Sequence, residues 1–489
     1  MSLEDIRRER LKKIEALHQR KVEVYPATTA RTHALAEVIR TFDALVTEKK
    51  SVVIAGRVMA KREHGGAAFF DLFDGSGRMQ IHAKEDVLGK EYDELRAAAD
   101  IGDFVEIEGT LFETKRGEKT LEIARWTMLA KSLRPLPEKW HGLQDAEERF
   151  RKRYLDLLLN KEVRARFERR AEILGMIRAF HEKNCFLEVE TPMLHPIPGG
   201  ALARPFMTRH HALERDFYLR VAPELYLKRL LVGGFERIFE IGKSFRNEGI
   251  DAQHNPEFTM LESYAAYWDE ARMMSFTEDL FLMLAEAAGK NGVIEFQGTK
   301  IEFKKPFSRV SFKDVLRRDA GIREYDAENS DAVRARAKDL GLSVDAGMSK
   351  VQIADELYRK ICRPKILQPT FVTNHPAEIS PLAKHAEDRR EVRRFQLIAG
   401  GLELTNAFAE LNDPIEQRRR FEEQEQGRAQ GDAEAHRIDE DYIEALEYGM
   451  PPAAGLGIGI DRVVMLLTNA RNIREVVLFP TLRPKNEYA

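Results

Sequence analysis

Cysteine is nearly missing from this chain. Cys185 and Cys362 are the only two in 489 residues, far apart and in no metal-ligand spacing. That excludes a disulfide framework and a cysteine zinc site; both read as buried structural thiols in a reducing cytoplasm. No apolar run approaches the roughly 20 residues of a membrane span. The opening MSLEDIRRERLKK lacks the apolar stretch of a signal peptide, so the expectation is a cytoplasmic protein with no membrane association. An excess of one charge is lacking too: 78 Lys and Arg face 81 Asp and Glu, for a net charge of -3. A chain coated in positive charge is thereby excluded, but a local basic face or base-specific contacts to nucleic acid are not. There is no repeat of fixed period. What remains, 43% hydrophobic and 33% charged, is a globular chain too long for one core, so two or more domains are expected.

Residues 2 to about 22 predict a helix. Ser2 can cap it with Asp5 three residues on, and Ile6, Leu11, Ile14 and Leu17 make an apolar stripe. The other face carries Arg7, Arg8, Arg10, Lys12, Lys13 and Arg20, either as a solvated surface or as a contact to RNA phosphates. From 51 to 131 the segments SVVIAGRVMAKRE, AAFFDLFDGSGRMQIHA, DFVEIEGTLFETKRG and KTLEIARWTMLA read as short strands split by glycine-rich turns, with a helix in GKEYDELRAAADIGD. Strands of this length with one internal helix suggest a five-stranded barrel of the oligonucleotide-binding (OB) type. SLRPLPEKWHGLQD reads as an ordered linker. Beyond it, long helices (about 147–184, 266–289 and 414–448) alternate with strands. The reading is α+β: a helical extension over 1–50, an OB-type barrel over 51–134, a linker over 135–150, and a catalytic domain over 151–489. The last has a central antiparallel sheet flanked by helices and a helical insertion at about 310–362.

Four segments carry chemistry. In RIFEIGKSFRNEGIDAQHNPEFTMLESYAAY, a strand runs to Arg246, a turn-rich loop holds Glu248 and His254, and a second strand returns. Alternation puts Phe258, Met260, Glu262 and Tyr264 on one face, an odd set for plain core. In GLGIGIDRVVMLL, alternating glycines precede Asp461 and Arg462 at the start of an apolar helix. The spacing is not the dinucleotide GxGxxG, and an arginine at a glycine-lined helix start better suits a phosphate. In RRFQLIAGGLELTNAFAELNDP, two strands flank Gly400-Gly401, with Asn406, Phe408 and Glu410 on one face. Glu403 joins that face only if a bulge or strong twist lies between 403 and 406. In FLEVETPMLHPIPGGALARPF, a loop holds Gly199 and Gly200, where backbone could approach a ligand.

The first, second and fourth of these segments resemble motifs 2, 3 and 1 of the class II aminoacyl-tRNA synthetases, in the right order along the chain. PLPEKWHGLQD, YRKRYLDLL, RVAPELYLKRLLVGGFERIFEI, FRNEG, HNPEFTMLE, ELNDP and GLGIGIDR are most similar to the bacterial-type lysyl-tRNA synthetase family, and the likeness spans the chain. The resemblance implies ATP, L-lysine and tRNA(Lys) as partners, Mg²⁺ as cofactor, and a homodimer. It implies that Arg246 and Arg462 are catalytic and grip the phosphates, that Phe258 stacks on adenine, and that Glu248, His254, Gly457 and Gly459 complete the ATP site. Glu224 with the Gly200 carbonyl would take the α-ammonium of lysine; Tyr264 and Glu410, near Glu262, would take the ε-ammonium. Asn406 would orient the carboxylate and Phe408 would line the slot. Glu403 would bind Mg²⁺, with Gln396 standing where the family commonly has a second metal-binding glutamate; an amide should hold a cation less well. In the barrel, Arg57, Phe69 and Gln80 match positions that read the central anticodon base. Phe69 can also be read as barrel core, since Phe70 and Phe73 compete with it. A lysyl-transferase paralogue acting on elongation factor P, which would lack the barrel, and a non-catalytic scaffold, which would lose Arg246 or Arg462, are the alternatives.

Overall fold

The computed structural model describes residues 2–137, 143, 145–323, 325–326, 328–345, 347–429 and 437–484, so much of the expected linker lies outside the described residues. The chain divides into two compact units, 1–144 and 145–489.

In the first unit, β1 (Val52–His64), β2 (Ala67–Phe73), β3 (Arg78–Lys84), β4 (Phe104–Glu113) and β5 (Lys119–Ala130) close into a barrel in the order β1-β2-β3-β5-β4. Strict alternation puts Val52, Ile54, Phe70, Leu72, Ile107 and Ile123 inside. The N-terminal extension shares this core. Leu17, Val24, Leu35, Val38, Phe42 and Leu45 are buried in one cluster with the barrel interior. Helix α1 (Leu3–Gln19) starts with a capping box between Ser2 and Asp5. Part of its basic face is structural. Arg10 is buried and donates to the carbonyls of Ile101, Ser132 and Arg134, and Lys13 pairs with Asp100 at 2.7 Å. Arg7, Arg8 and Lys12 stay exposed.

The second unit is built on an eight-stranded sheet. Its strands are β6 (Leu187–Glu188), β7 (Arg237–Phe245), β8 (Glu257–Ala266), β9 (Ser308–Ser311), β10 (Thr370–Pro376), β11 (Glu391–Ala399), β12 (Leu402–Ala409) and β13 (Ala453–Gly459), in the order β9-β10-β11-β12-β13-β8-β7-β6. Neighbours are antiparallel except at the two edges, where β9 runs parallel to β10 and β6 to β7. Helices Lys161–Lys183, Glu270–Ala288 and Ile460–Leu467 cover one face. They bury Ile177, Phe276, Phe281, Leu284, Val463 and Met465 against Leu261, Leu397, Leu404 and Leu456 of the sheet. Each such side chain contributes about 1.5–3 kcal/mol.

The first long helix of the sequence reading is interrupted, as Ala146–Arg151, Arg153–Leu159 and Lys161–Lys183. The buried Arg153 turns inward there to the carbonyls of Arg474 and Leu478 and to Asp156. The third is likewise two helices, Pro414–Ala429 and Glu440–Glu447. The insertion is mainly helical and has its own core around Phe312, Leu316, Val333, Ile353, Leu357 and Tyr358. Cys362 is buried there, but Cys185 is exposed, contrary to the expectation of two buried thiols. It sits in the tight exit from a helix, at φ 62°. Among the described residues no helix is long and apolar enough to cross a membrane.

Candidate active site

The sheet register explains the alternating glycines. Gly455 pairs with Tyr264 on one side and Phe408 on the other, and Gly457 with Glu262 and Asn406. Residues opposite one another share a face. The central strand therefore contributes no side chains to that face from Gly455 to Gly459, and its two neighbours become the walls of a groove. The space is needed. A Cβ on Gly455 would lie 2.1 Å from Glu410 Oε1 and 2.6 Å from the Tyr264 ring. The bulge required by Glu403 is present: Thr405 pairs with Leu397 but Glu403 with Ile398, skipping Leu404. Glu403 thus joins the face of Gln396 and Asn406.

One end of the groove is cationic. The helix Ile460–Leu467 is anchored by Asp461, which accepts from the Thr259 amide at 2.8 Å and pairs with Arg170 at 2.7 Å. Arg462 then projects toward the groove. It donates to the Glu403 carbonyl at 3.2 Å and lies 3.0 Å from His254 Nε2. His254 is held on its other side by Asp251 at 2.8 Å. Burial, then Arg462, pulls its pKa down. Arg246 lies over the Phe258 ring, 5.1 Å from its centre, and its buried Nε has no hydrogen-bond partner among the described residues. Glu248 is exposed in the loop between. Glu403 pairs with Arg363 at 2.8 Å. Burial pushes the Glu403 carboxyl up, but Arg363, Arg462, Arg394 and Arg246 outweigh it and hold the group below its ordinary range. Gln396 is buried, and its oxygen accepts from the Tyr358 hydroxyl at 2.7 Å. Asn406 accepts from Arg394 at 2.8 Å. Among the described residues no group of three or more His, Cys, Asp or Glu side chains could hold a metal ion alone. A single carboxylate beside a phosphate-binding region still fits Mg²⁺, which commonly takes one or two protein carboxylates and completes its shell with phosphates and water.

The other end is acidic and buried. Glu224, at the start of α2 (Glu224–Val232), bonds Lys228 Nζ at 2.6 Å, and Glu410 contacts the same ammonium. Lys228 also lies over the Phe408 ring. Glu262 accepts from the Tyr264 hydroxyl at 2.9 Å. Glu410 Oε1 is buried and accepts no hydrogen bond from the described residues. Glu224 and Glu410 therefore share one resident ammonium, and Glu262 lies beside them on the Tyr264 hydroxyl. Glu262 and Glu410 are each pushed up to about 8, by burial first; Glu224 adds to both, while Tyr264 opposes for Glu262 and Lys228 for Glu410. Gly200, at φ 90°, packs against Glu224: a Cβ there would lie 3.1 Å from that of Glu224. Sequence reasoning did not single out Lys228 or Arg363. The first carried only the spacing of an ordinary i,i+4 pair, and the second carried no signal.

In the barrel, Phe70 points into the core at 3% exposure, so Phe69 points out. Phe69 stacks flat on His82, with centroids 4.5 Å apart and planes at 9°, leaving its reading as core without support. Its cross-strand neighbour on β1 is Arg62, which reaches Gln80 Oε1 at 3.4 Å. Gln80 also donates to Thr120. Arg57 is not brought to this group. It pairs across the sheet with Phe73 and Phe104, lies over the Phe104 ring, and donates to the Gly102 carbonyl. Arg62 is the arginine that lies beside Phe69 and Gln80; the sequence reading did not single it out, because two arginines on one strand offered no means of choosing.

A family model described as tRNA synthetases class II (D, K and N) matches residues 145–483, and one described as an OB-fold nucleic acid binding domain matches residues 52–129. Fold, site and match together define a class II tRNA synthetase. Relatives named lysine–tRNA ligase align end to end. Those of Carboxydothermus hydrogenoformans and Moorella thermoacetica are 49% and 48% identical, over 99% of this chain and 99% of each relative. That of Roseiflexus sp. is 48% identical over 99% of this chain and 100% of its own length. The chain belongs to the lysine–tRNA ligase family.

Proposed function

We propose that this chain activates L-lysine with ATP and transfers the lysyl group to the 3′ end of tRNA(Lys). The observation that carries the reading is the glycine-floored groove with guanidiniums at one end and three buried carboxylates at the other. Lysine has one ammonium more than most amino acids, and a buried cation is tolerated only when paired and hydrogen-bonded. Glu410 Oε1, beside Gly455 and Tyr264, would accept the ε-ammonium. Glu224 with the Gly200 carbonyl would accept the α-ammonium, Asn406 would orient the carboxylate, and Phe408 and Glu262 would close the slot. A substrate without the second ammonium would leave Glu410 unpaired, which is the basis of selectivity.

The lysine carboxylate, ionised at neutral pH, attacks the α-phosphorus in line. The bond to the bridging oxygen breaks and pyrophosphate leaves, so no general base is needed. Arg246 would hold the α-phosphate, Phe258 would stack on adenine, and Arg462, His254, Glu248 and the backbone at Gly457 and Gly459 would hold the folded triphosphate. Glu403 would hold Mg²⁺, which when bound supplies further neutralisation of phosphate charge. Gln396, already bonded to Tyr358, would add at most a weak contact. In the second step the terminal 3′-hydroxyl of the tRNA attacks the lysyl carbonyl and AMP departs. Phe69 and Gln80, with Arg62 in place of Arg57, are the residues suited to an unstacked anticodon base. The exposed apolar Leu187, Met193, Leu194 and Met207 support a homodimer that covers them.

The test is pyrophosphate exchange with each amino acid in turn, followed by charging of tRNA(Lys). Exchange should require lysine, and charging should follow; equal exchange without lysine would end the proposal. The pH dependence has a defined sign. Glu262 and Glu410 titrate near 8, above the roughly 4.3 of an unfolded glutamate. The folded chain therefore binds more protons across that window. Their contribution to stability is full below the lower value and is lost as pH rises through 8. Lysine binding needs the ionised forms, so affinity should rise with pH up to about 8, with proton release near neutrality. Calorimetry in buffers of differing ionisation enthalpy reads the release; none at neutral pH would contradict it.

A further inference from the structure

Arg363 reaches the cationic end of the groove from outside the segments that form it. It opens the short turn Arg363–Lys365, directly after the insertion. Its carbonyl accepts from Ile366, and the Ile366 carbonyl accepts from Gly401. Gly401, at φ 74°, packs on the Pro364 backbone, where a Cβ would lie 3.1 Å from the carbonyl oxygen. The turn is thus clamped to the hairpin whose second strand carries Glu403. The Arg363 side chain is about nine-tenths buried. It spends Nη1 on Glu403 Oε2 at 2.8 Å, while its buried Nε has no hydrogen-bond partner among the described residues. Glu403 is the carboxylate on which Arg363, Arg462, Arg394 and Arg246 all bear; among the described residues Asp251 also acts on Arg462, and Asp355 and Glu224 on Arg394. Gln396, next along the sheet, is neutral. Guanidiniums gathered out of water in excess of their counter-charges favour an anion rich in acceptor oxygens.

We propose that Arg363 is a further nucleotide-binding residue. On ATP binding it exchanges Glu403 for the phosphate chain, and it brings there the positive charge that a second divalent cation would otherwise supply. The proposal rests on the assignment of this groove to ATP. Without nucleotide, Arg363 and Glu403 neutralise each other. With nucleotide, the guanidinium turns to phosphate oxygens and the carboxylate is freed for one Mg²⁺. Arg394 is already committed to Asn406 and Ser380, so beyond Arg246 and Arg462, already given to the nucleotide, Arg363 is the guanidinium with capacity to spare.

The experiment measures binding of a non-hydrolysable ATP analogue and of AMP to the full chain, by calorimetry, across a Mg²⁺ series. Arg363→Met should bind the triphosphate about tenfold more weakly at low Mg²⁺, recover as Mg²⁺ rises, and bind AMP as the parent does. Arg363→Lys should keep most of the affinity. Equal triphosphate affinity at every Mg²⁺ level, or an equal loss for AMP, would overturn the proposal. A measurement on the unaltered chain guards against a variant that does not fold. Electron paramagnetic resonance should count one tightly held Mn²⁺ per site with the analogue and lysine present, and a second would overturn it. If the parent bound no analogue, or Arg462→Ala bound it as well as the parent, the ATP assignment would fail instead.

Discussion

Arg462→Ala is expected to lower kcat/KM for lysine-dependent pyrophosphate exchange about a thousandfold, with the fold intact. The size follows from removing a preorganised donor aimed at charge that develops in the transition state. The survival of the fold follows from the helix start. Asp461, not Arg462, ties Ile460–Leu467 to the sheet, through the Thr259 amide and Arg170. What Arg462 itself holds, the Glu403 carbonyl and His254, faces the groove. Arg462→Lys should recover little, because one ammonium cannot reproduce a planar fork with several donors. Exchange kinetics beside a thermal unfolding curve decide the matter. A rate within tenfold of the parent would remove Arg462 from the reaction.

Lys228→Met is expected to destabilise the chain by about 3–5 kcal/mol, the usual result of leaving buried charge uncompensated. Its ammonium is fully buried between Glu224 and Glu410 and is the one cation those two carboxylates share. With it gone, the acidic cluster must take up protons, which raises the pH needed for lysine to bind. Urea denaturation should show the loss, and lysine at saturation should restore part of it, since the substrate brings ammonium groups to the same carboxylates. In the double variant Lys228→Met, Glu410→Gln, one charge is removed with its partner, so the cost should be well below the sum of the single variants. Additive costs would mean that Lys228 and Glu410 do not interact energetically.

The two halves of the groove were unequally legible. The strand faces Phe258–Glu262–Tyr264 and Asn406–Phe408–Glu410 follow from the two-residue period of a strand. The need for a bulge ahead of Asn406 followed from where that period placed Glu403, and the skipped Leu404 answers it. Glu224 and Lys228 are different. Four residues apart on a helix, they look like a solvent-facing pair, yet both are buried because Glu410 arrives from a strand nearly two hundred residues later. Arg57 and Arg62 fall on the same strand with equal local credentials. Only the pairing of β1 with β2 puts Arg62, and not Arg57, across from Phe69.

The sequence by itself determined the family, the order of the domains, the strand faces and the glycine strip, because these depend on spacing within a segment and on short-range conformational preference. Only the tertiary structure decided which charges meet. Lys228 between two glutamates, Arg363 on Glu403 and Tyr358 on Gln396 are contacts between segments 38 or more residues apart, or pairs whose burial depends on such segments. Their strength comes from exclusion of water, and that exists only once the sheet and its insertion have closed over them.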